Sequence, residues 1–259
     1  MVSTTLELGL RLPSRDVKPR TTGLTIVIDN GVPLRFFEDV MESSGDWVDL
    51  VKFGWGTSLV TPRLDEKIAC LRRLGIDYFF GGTLFEKFYV QNQIDAYEKF
   101  CLQHECRYVE ISNGTAPLSN EEKCRWIAHF AERFKVLSEV GYKDVNQSLM
   151  LPPNRWIQFI QEDFAAGASY VITEARESGT SGICRENGEL RFGLIEEILD
   201  ANIEIEKLVF EAPNKSLQTH FIEKVGSNVN LANVPFADII PLETLRLGLR
   251  SDTFMLFEG

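Results

Sequence analysis

The stretch Leu24-Thr25-Ile26-Val27-Ile28-Asp29-Asn30-Gly31-Val32-Pro33 decides how this chain folds. Leu24–Asp29 is a short, mostly apolar run closed by a carboxylate, the pattern of a parallel strand buried on both faces. The turn after it, Asp29-Asn30-Gly31-Val32-Pro33, lacks the GxGxxG that a doubly wound nucleotide-binding sheet carries after its first strand. An amphipathic stretch, Leu34–Ser44, comes next. The alternation then repeats, with strands expected at Trp47–Gly54, Tyr78–Gly82, Tyr108–Asn113, Lys135–Val140, Tyr170–Glu174, Lys207–Glu211 and Val229–Asn233. Helices are expected between them at Asp65–Leu74, Gln91–Glu105, Asn120–Arg133, Asn154–Ala166, Gly193–Asp200 and Lys215–Val225, with a last one near Leu242–Leu249. Ser119 and Glu122 form a capping box at the head of one helix, and Gly75 and Gly226 stand where two others stop. Eight strand–helix units in about 230 residues match a (β/α)8 barrel, whereas an open doubly wound sheet normally has fewer strands. The expected organisation is α/β: an irregular arm over residues 1–22, broken by Pro13 and Pro19, then a single-domain TIM barrel over 23–259.

Composition narrows the function. The chain has 259 residues, 44% of them hydrophobic, and a net charge of −11. A core of that size needs no disulfide or metal staple, and the negative charge excludes a nucleic-acid surface built from clustered Lys and Arg. No apolar run is long enough for a bilayer, and Met1–Arg20 has no apolar segment of the kind a signal peptide needs. The five cysteines are scattered without CxxC spacing and read as reduced thiols in a cytoplasmic protein. A homo-oligomer without nucleic-acid or membrane partners is expected.

A barrel places its chemistry at the carboxyl ends of its strands. Read in order, those ends supply Asp29, Lys52, Thr83 with Glu86, Glu110, Glu139 with Lys143, Glu174 with Arg176, Glu211, and Asn233. A carboxylate inside Val109-Glu110-Ile111 or Val209-Phe210-Glu211 is expensive to bury unless it is paired or bound to a cation. Any one of them could be a rim ion pair. The whole row points instead to a divalent metal and an anionic substrate, with Asp29, Glu110, Glu139, Glu174 and Glu211 as candidate ligands. Hard oxygen donors favour Mg²⁺ over zinc. Gly81-Gly82-Thr83 and the loop Ser178-Gly179-Thr180-Ser181-Gly182 are either ordinary loops or donors to a bound anion, and Gly82, Thr83, Ser178 and Asn233 are the candidate substrate-binding residues. His104, His129 and His220 all fall inside helices, so lysines and carboxylates must carry proton transfer.

The same segments resemble the phosphosulfolactate synthase family. The resemblance runs through Asp49-Leu50-Val51-Lys52-Phe53-Gly54-Trp55-Gly56-Thr57, Gly81-Gly82-Thr83-Leu84-Phe85-Glu86, Val109-Glu110-Ile111-Ser112, and Glu139-Val140-Gly141 with Lys143. It continues through Arg176-Glu177-Ser178-Gly179, Phe210-Glu211-Ala212-Pro213, Val229-Asn230-Leu231-Ala232-Asn233 and Leu242-Glu243-Thr244-Leu245-Arg246. It implies a TIM-barrel lyase that adds sulfite to phosphoenolpyruvate with Mg²⁺, giving (2R)-phospho-3-sulfolactate on the way to coenzyme M. It also implies Lys143 as proton donor; by their own chemistry Lys52 and Arg176 are the cations expected to neutralise phosphate and sulfite. The chain departs from the family pattern at Asn30, at Asn113-Gly114-Thr115, at Ala175 and at Thr180-Ser181-Gly182, which bears on substrate identity. Two other classes remain open: a Schiff-base aldolase using a strand-end lysine, and a non-catalytic, heat-stress-associated relative.

Overall fold

A computed structural model describes residues 9–176 and 178–258. Its strands are β1 (Thr25–Asp29), β2 (Leu50–Phe53), β3 (Asp77–Phe80), β4 (Tyr108–Ile111), β5 (Lys135–Val140), β6 (Tyr170–Thr173), β7 (Leu208–Glu211) and β8 (Asn230–Val234). The helices are α1 (Leu34–Ser44), α2 (Leu64–Arg73), α3 (Gly82–Val90), α4 (Ile94–Gln103), α5 (Asn120–Ala131), α6 (Val145–Met150), α7 (Pro153–Ala165), α8 (Phe192–Asp200), α9 (Lys215–Val225) and α10 (Ile239–Arg246). The strands form one parallel sheet in the order β3-β2-β1-β8-β7-β6-β5-β4. The ring closes where β3 packs on β4. Side chains bridge that seam: the Gly82 N–H donates to Glu110 Oε1 at 2.9 Å, and Arg107 reaches Asp77 at 3.1 Å. This is the eight-stranded β/α barrel that the alternation of the sequence predicts.

Strand alternation sorts the residues into two cores. Ile26, Leu50, Phe79, Tyr108, Leu137, Ile172, Val209 and Ala232 fill the barrel interior. Their neighbours Val27, Val51, Phe80, Val109, Val136, Val171, Phe210 and Leu231 face outward and pack under the helices. Because side chains alternate, the residue two positions beyond an interior one also points inward, nearer the carboxyl end. That rule selects Lys52, Glu110, Glu139, Glu174 and Glu211 as the next layer up. Below them the barrel is an apolar plug.

The same rule corrects the placing of Asp29. It shares the outward parity of Val27, so it faces α2 and not the mouth with the other carboxylates. Its Oδ2 meets Lys67 Nζ at 2.5 Å, and its Oδ1 accepts the N–H groups of Gly31 at 2.8 Å and Val32 at 3.0 Å.

Two helices lie outside the sequence-based expectation. The segment read as a Gly-Gly loop opens α3, and Val145–Met150 forms a short helix whose N-cap Asp144 accepts the Gln147 N–H at 2.9 Å. The described part of the N-terminal arm runs along the opposite end of the barrel. There Arg15 pairs with Glu243 at 2.8 Å and Arg20 with Asp49 at 3.0 Å, while buried Arg246 donates to the carbonyl of Val229 at 2.7 Å. Among the described residues no helix is long and apolar enough to cross a membrane.

The Lys67–Asp29 pair makes a stability prediction. Both side chains are only 1% exposed, so removing one partner strands a charge without water. Lys67→Met should lower the unfolding free energy in urea by about 3–5 kcal/mol, and adding Asp29→Asn should recover part of it. An unchanged urea midpoint for the single variant contradicts this account.

Candidate active site

The layer above the apolar plug is a network of buried charges. Lys52 Nζ lies 3.1 Å from Glu110 Oε2, 3.5 Å from Glu211 Oε1 and 3.6 Å from Glu139 Oε2. Lys143, on the loop after β5, reaches Glu139 Oε1 at 3.3 Å, Glu174 Oε2 at 3.6 Å and Thr83 Oγ1 at 3.2 Å. Glu139 therefore bridges the two ammonium groups. Backbone donors fix the other carboxylates: Ala175 N–H meets Glu211 Oε2 at 2.8 Å, and Arg176 N–H meets Glu174 Oε1 at 2.6 Å. The Asn233 side-chain amide donates to Glu211 Oε1 at 2.5 Å.

Four buried carboxylates against two lysines leave an excess of negative charge, and only Lys143 reaches solvent in part. Burial penalises ionised Glu110 more than Lys52 relieves it, and the group is pushed up to about 7. Glu174 rises well above the ordinary carboxylate range, through burial first and then repulsion from Glu139 and Glu211. Glu139 goes the other way, down to about 2, because Lys143 and Lys52 together overcome its burial. Burial would lower both lysines, but the surrounding carboxylates outweigh it and raise them. The cluster thus stores protons on Glu110 and Glu174 and keeps both ammonium groups charged.

Several buried oxygens in this layer have no hydrogen-bond partner: Glu110 Oε2, Glu139 Oε2, Glu174 Oε2 and Asn233 Oδ1. Glu139 lies within hydrogen-bonding range of both Glu110 and Glu174. Buried, hard carboxylate oxygens that face only a lysine ammonium are of the kind that fit a Mg²⁺ ion. Among the described residues no three acidic, His or Cys side chains already converge as a cage. Mg²⁺ usually takes only one or two carboxylates and completes its shell with water and substrate, so this donor set suits it better than Zn²⁺ or Ca²⁺.

Glycine is required at position 82. A Cβ there would sit 2.3 Å from Ser112 Oγ and 2.9 Å from Glu110 Oε1, so any side chain would displace the carboxylate that its N–H holds. Strained backbone gathers at the same rim: Trp55, Arg176 and Asn233 adopt φ of 54°, 58° and 56°. Left-handed conformations of this kind cost free energy in non-glycine residues and concentrate at functional sites.

Of the residues singled out in the sequence, Lys52, Gly82, Thr83, Glu110, Glu139, Lys143, Glu174, Glu211 and Asn233 meet in this network. Arg176 joins through its backbone, and its guanidinium donates to the Lys143 carbonyl at 3.5 Å. Ser178 is exposed on the loop after β6, with its hydroxyl 2.6 Å from that of Thr180. Glu177 lies outside the described residues, and Asp29 is excluded by strand parity. At the departures from the family pattern, Ala175 contributes its N–H, Asn113 donates to the Leu118 carbonyl at 2.9 Å, and Asn30 is exposed. The residue with the least weight in the sequence reading is Glu86, whose buried carboxylate organises the loop after β4. An acidic residue inside the apolar run Leu84-Phe85 to Phe88-Tyr89 was the available signal.

The family profile described as (2R)-phospho-3-sulfolactate synthase (ComA) matches residues 13–252. A phosphosulfolactate synthase of Bacillus subtilis (strain 168) is 54% identical over 250 residues, covering 96% of this chain and 99% of that protein. One of Methanocaldococcus jannaschii is 44% identical over 236 residues, covering 90% and 94%. The Arabidopsis thaliana protein HEAT-STRESS-ASSOCIATED 32 is more distant, at 24% identity over 90% of this chain and 88% of that protein. Among solved structures, a 3-hexulose-6-phosphate synthase superposes with a TM-score of 0.53 at 14% identity, covering 86% of this chain and 98% of that one, a likeness of fold alone. With the family profile spanning the barrel and its charged layer, this chain belongs to the phosphosulfolactate synthase family.

Proposed function

We propose that this chain is a carbon–sulfur lyase that joins sulfite to C3 of phosphoenolpyruvate, giving (2R)-phospho-3-sulfolactate. The observation that carries the reading is the Lys143 ammonium held between the buried carboxylates of Glu139 and Glu174 at the barrel mouth. The sulfite sulfur lone pair attacks C3 and the enol π electrons move through C2 into the substrate carboxylate. Protonation at C2 then completes the addition. Mg²⁺, when bound, would stabilise negative charge developing on that carboxylate. Glu139 and Glu174 are the residues best placed to hold it, with Glu110 and Glu211 orienting the layer.

Lys143 donates the proton to C2. Its carboxylate neighbours keep it in the acid form at neutral pH, and the carbanion-like C2 is basic enough to take a proton from a reluctant ammonium. Lys52 is surrounded by three carboxylates, so its main part is to hold them apart while adding positive potential beneath the substrate. Arg176 suits the phosphate or sulfite oxygens, which its planar fork can meet bidentately. A Schiff-base aldolase needs a neutral amine, and the raised Lys143 speaks against one. The five unpaired thiols support a reducing, cytoplasmic setting.

The direct test is incubation with phosphoenolpyruvate, sulfite and Mg²⁺, followed by mass spectrometry for the adduct. Lys143→Ala should reduce kcat by about 10²–10⁴-fold with phosphoenolpyruvate affinity nearly unchanged, because the proton is delivered only in the transition state. Lys143→Arg should fail nearly as badly, since a guanidinium does not release its proton near neutral pH. An active arginine variant removes Lys143 from the chemistry.

A second test concerns metal and pH. Mg²⁺ needs ionised carboxylates, whereas burial pushes Glu110 up to about 7 and holds Glu174 well above the ordinary carboxylate range. Mg²⁺ affinity should therefore rise with pH between about 6 and 8, with proton release visible by calorimetry in buffers of different ionisation enthalpy. Metal-free protein should show the opposite trend. Its folded state binds more protons than the unfolded chain above about pH 5, so stability falls as pH rises through 7, and Mg²⁺ should restore it. Turnover and melting temperature indifferent to EDTA contradict metal use.

A further inference from the structure

Glu86 is 3% exposed, and its carboxylate is saturated by one loop. Oε1 accepts the Ser112 hydroxyl at 2.5 Å; Oε2 accepts the Thr115 N–H at 2.8 Å and also the Ala116 N–H. That loop follows β4, and its Gly114 carbonyl accepts the backbone N–H of Lys143 at 3.1 Å. Gly114 lies close against this segment: a Cβ on it would sit 3.2 Å from the Gly141 carbonyl oxygen and in ordinary contact, 3.6 Å, with Lys143 Cγ. One turn earlier on the same helix, Thr83 Oγ1 accepts from Lys143 Nζ at 3.2 Å. Helix α3 therefore holds Lys143 at both ends, its main chain through Glu86 and the β4 loop, its ammonium through Thr83.

We propose that Glu86 is a positioning residue for Lys143, acting through the loop Ser112–Ala116. The proposal rests on Lys143 as the acid that protonates C2. A lysine stem has several rotatable bonds, and a proton must be delivered to one face of one carbon. Misplacement of a catalytic group by about 1 Å can cost about 10²-fold in rate. A carboxylate suits this task because two oxygens can gather three donors from one loop, and charge-assisted bonds to backbone N–H groups are stronger than neutral ones. Glu86 need touch neither substrate nor metal to act in this way.

Steady-state kinetics of the full chain with phosphoenolpyruvate, sulfite and Mg²⁺ provide the test. Glu86→Ala should lower kcat by about 10–10²-fold while the KM for phosphoenolpyruvate stays within about threefold. Glu86→Gln should recover most of the rate. Its amide oxygen can accept from Thr115 and Ala116, and its amide NH₂ can donate to a Ser112 hydroxyl turned to accept. Thr83→Val, nearly equal in volume, should lower kcat in the same sense and guards against a misfolded alanine variant. The decisive readout is the Lys143→Ala background. There Glu86→Ala and Thr83→Val should each cost less than about twofold, because residues that act through one group are not additive. Equal losses in both backgrounds, or wild-type kcat in both single variants beside an inactive Lys143→Ala, overturn the positioning role. Full turnover by Lys143→Ala alone overturns the assignment of the acid, and this role for Glu86 with it.

Discussion

Charge repulsion among Glu110, Glu139, Glu174 and Glu211 is the constraint that the rest of the mouth answers. Each is nearly inaccessible to solvent, and isolated carboxylates so placed would cost many kcal/mol. The response is layered. Lys52 sits among Glu110, Glu139 and Glu211, Lys143 links Glu139 to Glu174, and backbone N–H groups from Gly82, Ala175 and Arg176 take up remaining lone pairs. What stays without a hydrogen-bond partner is one oxygen each on Glu110, Glu139, Glu174 and Asn233. A fold that wanted only stability would fill these positions with apolar side chains, since replacing buried ion networks that way is often neutral or stabilising.

Buried pairs outside the barrel hold this layer still. Lys123 and Asp163, both fully buried between β5 and the helices over it, meet at 2.7 Å, and Lys123 also donates to the Glu139 carbonyl at 3.0 Å. Lys67 and Asp29 do the same work at the end of β1. In each case an ammonium from a helix grips the carboxyl end of a strand. Strand ends are where a barrel hands over to its loops, and a loop is only as well placed as the strand end it leaves. The seam between β3 and β4 is part of the same arrangement, because the N–H that bridges it belongs to the first residue of α3 and ends on Glu110.

The barrel was legible because eight short apolar runs alternated with amphipathic stretches, and most strand boundaries match within a residue or two. The charged layer was legible for a related reason: a glutamate inside Val109-Glu110-Ile111 breaks an apolar run and so announces itself. Asp29 was not legible. In Leu24–Ile28 a single threonine, Thr25, interrupts four aliphatic residues, too little alternation from which to read which face Asp29 takes. Helix α3 was missed because Gly81-Gly82 argues for a loop by propensity, whereas the glycine is there to let Glu110 approach. Glu86 was noticed only as one more acid, because its donors come from Ser112, Thr115 and Ala116, nearly thirty residues away. Tertiary partners at that distance leave no periodic trace in the sequence.

An acidic chain with an acid-rich mouth has to admit two anions, phosphoenolpyruvate and sulfite, and the titration pattern shows how. Burial holds Glu174 well above the ordinary carboxylate range and pushes Glu110 up to about 7, so both release their protons less readily and the layer carries less negative charge than its composition implies. Meanwhile Lys52 and Lys143 stay fully charged, and Arg176 stands above them at the rim. The local potential over the mouth is therefore set by cations that the carboxylates keep protonated, and not by the carboxylates themselves. A divalent cation held by the same carboxylates would act in the same sense, competing with their protons and adding positive charge to the mouth. Either form of the layer would therefore favour anions. The glutamates thus act first as the field that holds the Lys52 and Lys143 ammonium groups charged.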